Sequence, residues 1–299
     1  MHESGNDLGR VLLQWASHFI WVPQAPMQRQ LIPKRLIQTG RSLEMPLRTR
    51  AMVSSAKLSN PDFEYKFFDD QDVEVFLEQE FPEYADVVAS FPYRIQKYDF
   101  FRYLAIYRLG GFYLDLDVLV AAGFSSLLED RCVFSFEDLN VCPFLREEYG
   151  MDWAIGNYAF GAAPGHPFLK AVIDNCVRAI RDPKWAAPML RGIPRFFRGE
   201  YLVLSTTGPL LLTRTLVENP GLQGELKILM PDDVCESTNR HKYGEYAVHL
   251  MDASWRTSHC FLIRRLADWW MALTYNKFFK QSSKLGKSRR LGKSCVSVG

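Results

Sequence analysis

Two aspartates one residue apart, Asp115 and Asp117, close a run of aromatic and aliphatic residues, Phe112-Tyr113-Leu114. An Asp-x-Asp in a solvated turn is common and says little by itself. At the end of a buried strand it means more, because adjacent carboxylates with apolar flanks need a countercharge. A hard divalent cation such as Mg2+ or Mn2+ supplies it through carboxylate oxygens and shares its remaining positions with phosphates. Alternation along a strand puts Asp115 and Asp117 on one side and sends Leu116 to the other, into the core. Upstream, Asp99 and Arg102 stand three residues apart among Phe100, Phe101, Tyr103 and Leu104, hence on one face of a helix. Charges in such surroundings need partners. Either the two pair with each other, or both face the cleft that the strand opens into, where a polar ligand completes their hydrogen bonding.

The elements that position these residues follow from pattern. Ile95 to Leu109 lacks a helix breaker and is apolar on almost every side, which predicts a buried helix stopped by Gly110 and Gly111. Leu31 to Gly40 reads as a first strand, and Glu64 to Asp70 as a second, followed by a helix over Gln71 to Glu80. Cys132 to Phe136 is a further strand, with Glu137 and Asp138 at its end. Gly165-His166-Pro167-Phe168 opens a helix, with His166 as a helix-start residue. Ser205 to Pro209 is a polar loop leading into a helix over Leu210 to Val217. Tyr246 to His249 is a short strand, and Ser254-Trp255 follows it. His249 is either a satisfied core residue or a ligand. This strand and helix rhythm belongs to nucleotide-binding α/β folds. Without a Gly-x-Gly-x-x-Gly or a Walker loop, the chain lacks the phosphate cradle of a Rossmann dehydrogenase or a P-loop kinase.

With 299 residues, 47% hydrophobic and 14% aromatic, the chain can bury a sizeable core. Its formal charge of +2 hides an asymmetry: seven of the 36 basic residues lie in 277–299, where there is no acid, which leaves 29 basic against 34 acidic residues elsewhere. By charge the body is therefore not a nucleic-acid binder. The six cysteines show neither C-x-x-C nor zinc-ligand spacing, and there is no Asn-x-Ser/Thr acceptor. Val11 to Val22 is too short to span a bilayer and lacks the marks of a signal peptide, which leaves a short amphipathic helix. Cys260 to Lys280 is apolar but broken by Arg264, Arg265 and Asp268. Its Trp269, Trp270 and Tyr275, with the basic cluster behind them, suit either a helix at a lipid headgroup surface or one packed on the domain with a solvated tail.

Asp99-x-x-Arg102 followed by Gly110-Gly111-Phe112-Tyr113-Leu114-Asp115-Leu116-Asp117 resembles glycosyltransferase family 32, the sugar-binding-region glycosyltransferases with a DXD motif. Within that family the likeness is to fungal enzymes that mannosylate inositol phosphoceramide. Further motifs fall in the family's order over roughly residues 31 to 256: Ile32-Pro33-Lys34, Gln38-Thr39, Asn157 with Gly165-His166-Pro167-Phe168, Thr207-Gly208-Pro209, and His249 with Ser254-Trp255. The family's His and Trp flanking Gln38-Thr39 are replaced here by Ile37 and Gly40.

The resemblance implies an α/β fold of the GT-A type over 29–259, with an N-terminal extension at 1–28 and an amphipathic, basic segment at 260–299. It implies a metal-dependent, retaining transfer of a hexose, mannose from GDP-mannose, to an inositol-phosphoceramide-like lipid or glycan. Asp115, Asp117 and His249 would hold Mn2+ or Mg2+. Gln38, Thr39, Asp99, Arg102, Asn157 and Trp255 would contact substrate, and Phe68 with Asp69 or Asp70 would border the nucleotide. Residues 205–209 would wall the acceptor cleft. Segment 260–299 would touch a Golgi or other endomembrane surface. Two alternatives stand beside this reading: the same fold with a UDP-sugar donor, galactose or N-acetylglucosamine, and a non-catalytic carbohydrate- or membrane-binding protein.

Overall fold

The computed structural model describes residues 30–139, 142–234 and 241–250. Trp255, the extension at 1–28 and the segment at 260–299 lie outside them.

Six strands form the main sheet: β1 (Arg35–Thr39), β2 (Glu64–Phe68), β3 (Gly111–Leu114), β5 (Cys132–Leu139), β6 (Trp153–Ala162) and β7 (Lys227–Leu229), in the order β2-β1-β3-β6-β5-β7. β6 pairs antiparallel with both β3 and β5, and every other pairing in this sheet is parallel. A small antiparallel sheet, β4-β9-β8, is built from β4 (Val118–Val120), β8 (Lys242–Tyr243) and β9 (Ala247–His249). The longer helices are α1 (Leu47–Ser59), α2 (Asp70–Glu80), α3 (Arg94–Leu109), α4 (Pro167–Arg181), α5 (Arg198–Thr206) and α6 (Pro209–Glu218). Among the described residues no helix is long and apolar enough to cross a membrane.

Side-chain alternation divides the core into two. Ile37, Tyr113, Phe134 and Phe160 point to the face covered by α2 to α6, while Leu36, Phe112, Leu114, Val133 and Ala159 point to the face closed by α1 and the small sheet. α3 follows the expected bounds closely, and its apolar residues reach almost all round because it lies beneath the sheet and against α4 and α5. Gly110 and Gly111, at φ 64° and 106°, turn the chain straight from α3 into β3. Asp69 caps α2 by accepting from the N–H groups of Gln71 and Asp72, and Phe68 packs on Phe76 and Phe101. Asp70 pairs with Arg94 and Tyr98. His166 caps α4, its Nδ1 accepting from the Phe168 N–H, as its place before Pro167 suggests.

The structure corrects two local expectations. Asp115 to Asp117 are not the end of a strand: Val118 N–H donates to the Asp115 carbonyl at 3.2 Å, closing a turn between β3 and β4. Leu116 is accordingly half-buried against Gly40 rather than in the core. Ser205 to Pro209 is not a loop: Ser205 and Thr206 end α5, Pro209 opens α6, and only Thr207 and Gly208 lie between them.

Candidate active site

The turn after β3 hangs between the two sheets and is fixed on each side by hydrogen bonds. Asp115 N–H donates to the Tyr158 carbonyl of β6 at 2.7 Å, and Leu250 N–H donates to the Asp117 carbonyl at 2.9 Å. Val118 stands opposite His249 in the β4–β9 ladder, so the imidazole is delivered beside the aspartates by strand register. One ligand atom from each of Asp115, Asp117 and His249 lies within 4.8 Å of the others. His249 Nε2 is 3.2 Å from Asp117 Oδ1, and its ring stacks on Tyr158 at 4.5 Å and 18°. Two carboxylates and an imidazole match the donor set that Mn2+ or Mg2+ accepts, so the residues fit such a cation.

Behind the turn lies a buried ionic network. Arg102 and Asp99 are each 4% exposed. Arg102 Nη2 is 3.1 Å from Asp99 Oδ1 and 3.2 Å from Asp115 Oδ1, while Nη1 donates to the Asn157 carbonyl at 2.8 Å. The guanidinium also lies over the Tyr113 ring at 4.7 Å. The two sequence alternatives for Asp99 and Arg102 thus merge: they pair with each other, and Arg102 reaches the first aspartate of the turn as well. Asp99 further accepts from Asn157 Nδ2 at 3.2 Å and from the Thr207 hydroxyl at 3.0 Å. Burial pushes its carboxyl up to about 6, against the pull of Arg102. Burial raises Asp115 too, and Arg102 opposes it while Asp117 adds to it. Burial draws the His249 imidazole down, but the adjoining Asp117 carboxylate outweighs it and leaves His249 above the ordinary histidine value.

Gln38 and Thr39 also converge on Asp115. Gln38 is fully buried; its Nε2 donates to the Asp115 carbonyl at 3.3 Å and its Oε1 accepts from Tyr65 at 3.0 Å. Thr39 Oγ1 lies 3.2 Å from the Tyr113 hydroxyl, which donates to Asp115 Oδ1 at 3.0 Å. Both residues therefore hold the turn from behind. Sequence reading brought together Gln38, Thr39, Asp99, Arg102, Asp115, Asp117, Asn157 and His249, and the fold assembles all eight; Trp255 lies outside the described residues.

Two residues behind His249 escaped that reading. β5 carries register shifts on either side of Ser135-Phe136, and the second leaves Glu137 without a partner across the ladder. Such a bulge re-aims a side chain. Glu137 Oε1 lies 3.5 Å from His241 Nδ1, whose ring meets the His249 ring edge-on at 6.1 Å. A Cβ on Gly156 would stand 2.6 Å from Glu137 Oε2, so glycine in β6 makes room for the carboxylate. The Glu137-Asp138 pair after an apolar strand was the available signal, but only the bulge directs the glutamate toward the site.

Residues 46–134 match the family model described as glycosyltransferase sugar-binding region containing DXD motif. This stretch is similar to that sugar-binding region. The match contains both aspartates of the turn, and it bears out the resemblance read from the Asp-x-Asp and its flanks. Inositol phosphoceramide mannosyltransferase 3 of Schizosaccharomyces pombe is 30% identical over 190 residues, 62% of this chain and 45% of its own length. The mannosyl phosphorylinositol ceramide synthases SUR1 and CSH1 of Saccharomyces cerevisiae are each 27% identical, over 64% and 68% of this chain and 43% and 49% of their own. The chain thus spans about half the length of the curated relatives it matches. Among solved structures, PaToxG glycosyltransferase is 19% identical with a TM-score of 0.43, covering 64% of this chain and 71% of that one. The matched stretch sits in a mixed sheet with a core on each face, an α/β architecture.

Proposed function

We propose that this chain is a metal-dependent, retaining glycosyltransferase that moves mannose from GDP-mannose to the headgroup of an inositol-phosphoceramide-like lipid. The observation that carries the proposal is the convergence of Asp115, Asp117 and His249, from a turn and a strand far apart in sequence, within the likeness to a sugar-binding region. The names of the relatives support mannose and the lipid acceptor. When bound, a divalent cation stabilises the charge that develops on a departing nucleoside diphosphate. The protein's part is placement. Arg102, Gln38 and Tyr113 hold Asp115 in one orientation, and Tyr158 holds the plane of the His249 ring. Asp99, Arg102 and Asn157 form a fixed polar wall behind Asp115 that orients donor hydroxyls, which lowers the barrier through position rather than proton transfer. We assign no covalent nucleophile. The basic segment 260–299 supplies contact with an endomembrane surface.

The deciding experiment is hydrolysis and transfer with GDP-mannose against UDP-galactose and UDP-N-acetylglucosamine, each with Mn2+, Mg2+ or chelator. Metal-dependent turnover confined to GDP-mannose is expected. Turnover confined to a UDP-sugar transfers the reading to that donor, and none with any donor leaves a binding protein on a transferase fold.

A further inference from the structure

α1 presents an outer face that its surroundings among the described residues leave open. Leu47 and Leu58 are 76% and 78% exposed, and at eleven positions' separation they lie on one side of the helix. Ala51 and Ser54 fill the space between them, while Arg48, Arg50 and Lys57 flank it, all exposed. The loop leading into α1 adds Arg41 and Leu43, the latter 73% exposed. Four basic side chains thus surround three exposed leucines, with Glu44 as the one acid from Arg41 to Leu58. The opposite side of α1 packs inward through Ala56, with Met52, Val53 and Ser55 half-buried.

A single exposed leucine needs no explanation, but three within a basic stretch that is nearly free of acid do. Charge complementarity selects the occupant. An apolar protein surface would offer the exposed Arg41 and Arg50 no counter-charge, whereas the boundary of an anionic bilayer takes leucines into the acyl region and basic groups at the phosphates.

The face is fixed relative to the candidate active site. Gly40 joins β1 to the basic loop, and a Cβ there would stand 2.7 Å from Leu116 Cδ1, so the loop leaves directly beside the Asp115–Asp117 turn. At the other end, Val120 N–H donates to Ser55 Oγ at 3.1 Å, which ties α1 to the strand beginning one residue after Asp117. We propose that the outer face of α1, with residues 41–46, docks on an anionic lipid surface and thereby sets the distance between that surface and the aspartate turn. Binding itself is independent of the transferase reading; only its use in presenting a lipid acceptor rests on it.

The test is sedimentation of the full chain with vesicles of phosphatidylcholine alone or with added phosphatidylserine. Two double variants are compared, Leu47→Ser with Leu58→Ser, and Arg41→Glu with Arg50→Glu. None of these residues belongs to the candidate site. Binding to the anionic vesicles should weaken about tenfold or more in each variant, with an unchanged melting temperature and unchanged nucleotide-sugar hydrolysis in vesicle-free buffer. Failure of the unaltered chain to bind anionic vesicles, or equal binding by the variants, overturns the proposal. So does a lowered melting temperature, which would mean that the chain itself covers the face, or a dimer that the variants abolish, which would assign it to a second copy. Absence of hydrolysis with every donor would sink the transferase reading and leave the vesicle result to stand on its own.

Discussion

Arg102 grips Asp115 from inside the protein: one guanidinium nitrogen lies 3.2 Å from Asp115 Oδ1, and the other donates to Oδ2 at 3.3 Å. The first aspartate of the turn is therefore held by a cation before any metal arrives. Removing one partner from a buried network leaves the others uncompensated. Arg102→Met is expected to destabilise the fold by about 3–5 kcal/mol. Adding Asp99→Asn to that variant should recover part of the loss, because one of the two stranded carboxylates is then gone. Denaturant titration of the two variants checks this, and a double variant less stable than Arg102→Met would refute it.

Asp117 differs from Asp115 in having His249 rather than Arg102 as its ionic neighbour. Asp117→Ala should retain the fold and lower metal-dependent hydrolysis of the donor by at least about a hundredfold. Mn2+ titration followed by electron paramagnetic resonance should show weakened binding in parallel. Full turnover by this variant in chelator would rule out the metal reading.

Gly156→Ala places a methyl 2.6 Å from both Glu137 Oε2 and Ser135 Oγ. Displacing that carboxylate should cost about 1–3 kcal/mol of stability. Glu137→Gln tests the same region without the clash. Groups behind a metal-ligating histidine commonly account for about 10–100-fold in affinity, so a loss of Mn2+ binding in that range is expected. Unchanged affinity in a folded Glu137→Gln protein would confine Glu137 to packing.

His166 supplies a pH dependence away from the site. Burial holds its imidazole down at about 4, from an ordinary 6.5. The unfolded chain then binds the proton more readily over that interval, so stability is fully present above about pH 6.5 and is lost as pH falls toward 4. The His166 share of this loss is on the order of 3 kcal/mol. His166→Asn, which can still cap α4, should flatten this part of the stability curve. A curve of unchanged slope would show that other groups set it.

Much of the fold was legible because local pattern and tertiary role agreed. Ile95 to Leu109 has no breaker and ends at two glycines, and α3 occupies Arg94–Leu109. The aspartate turn was harder to read. Phe112 to Leu114 reads as a strand that ends in the acids, and only the pairing of β4 with β9, about 130 residues later, decides that the chain leaves one sheet for another. Gly156-Asn157 suggests a turn by local preference, yet β6 runs on through both, with Gly156 opposite Ser135 of β5. His249 was found through its family motif, since a short strand with one histidine carries no chemistry by itself. Glu137 depended on a bulge, which follows from register with a neighbour rather than from composition.

The ladder that sets His249 opposite Val118 also bears on the order in which the site can form. The aspartate turn leaves the ribosome well before the strand that completes it, and a chain lacking residues 241–249 would have both carboxylates without the imidazole beside them. Closing so long a loop is slow compared with forming α3 and β3, which are adjacent in sequence. Full metal affinity should thus appear as a late event in refolding, after the helical signal has recovered. The cation would report on the docking of the small sheet rather than on the folding of the large one.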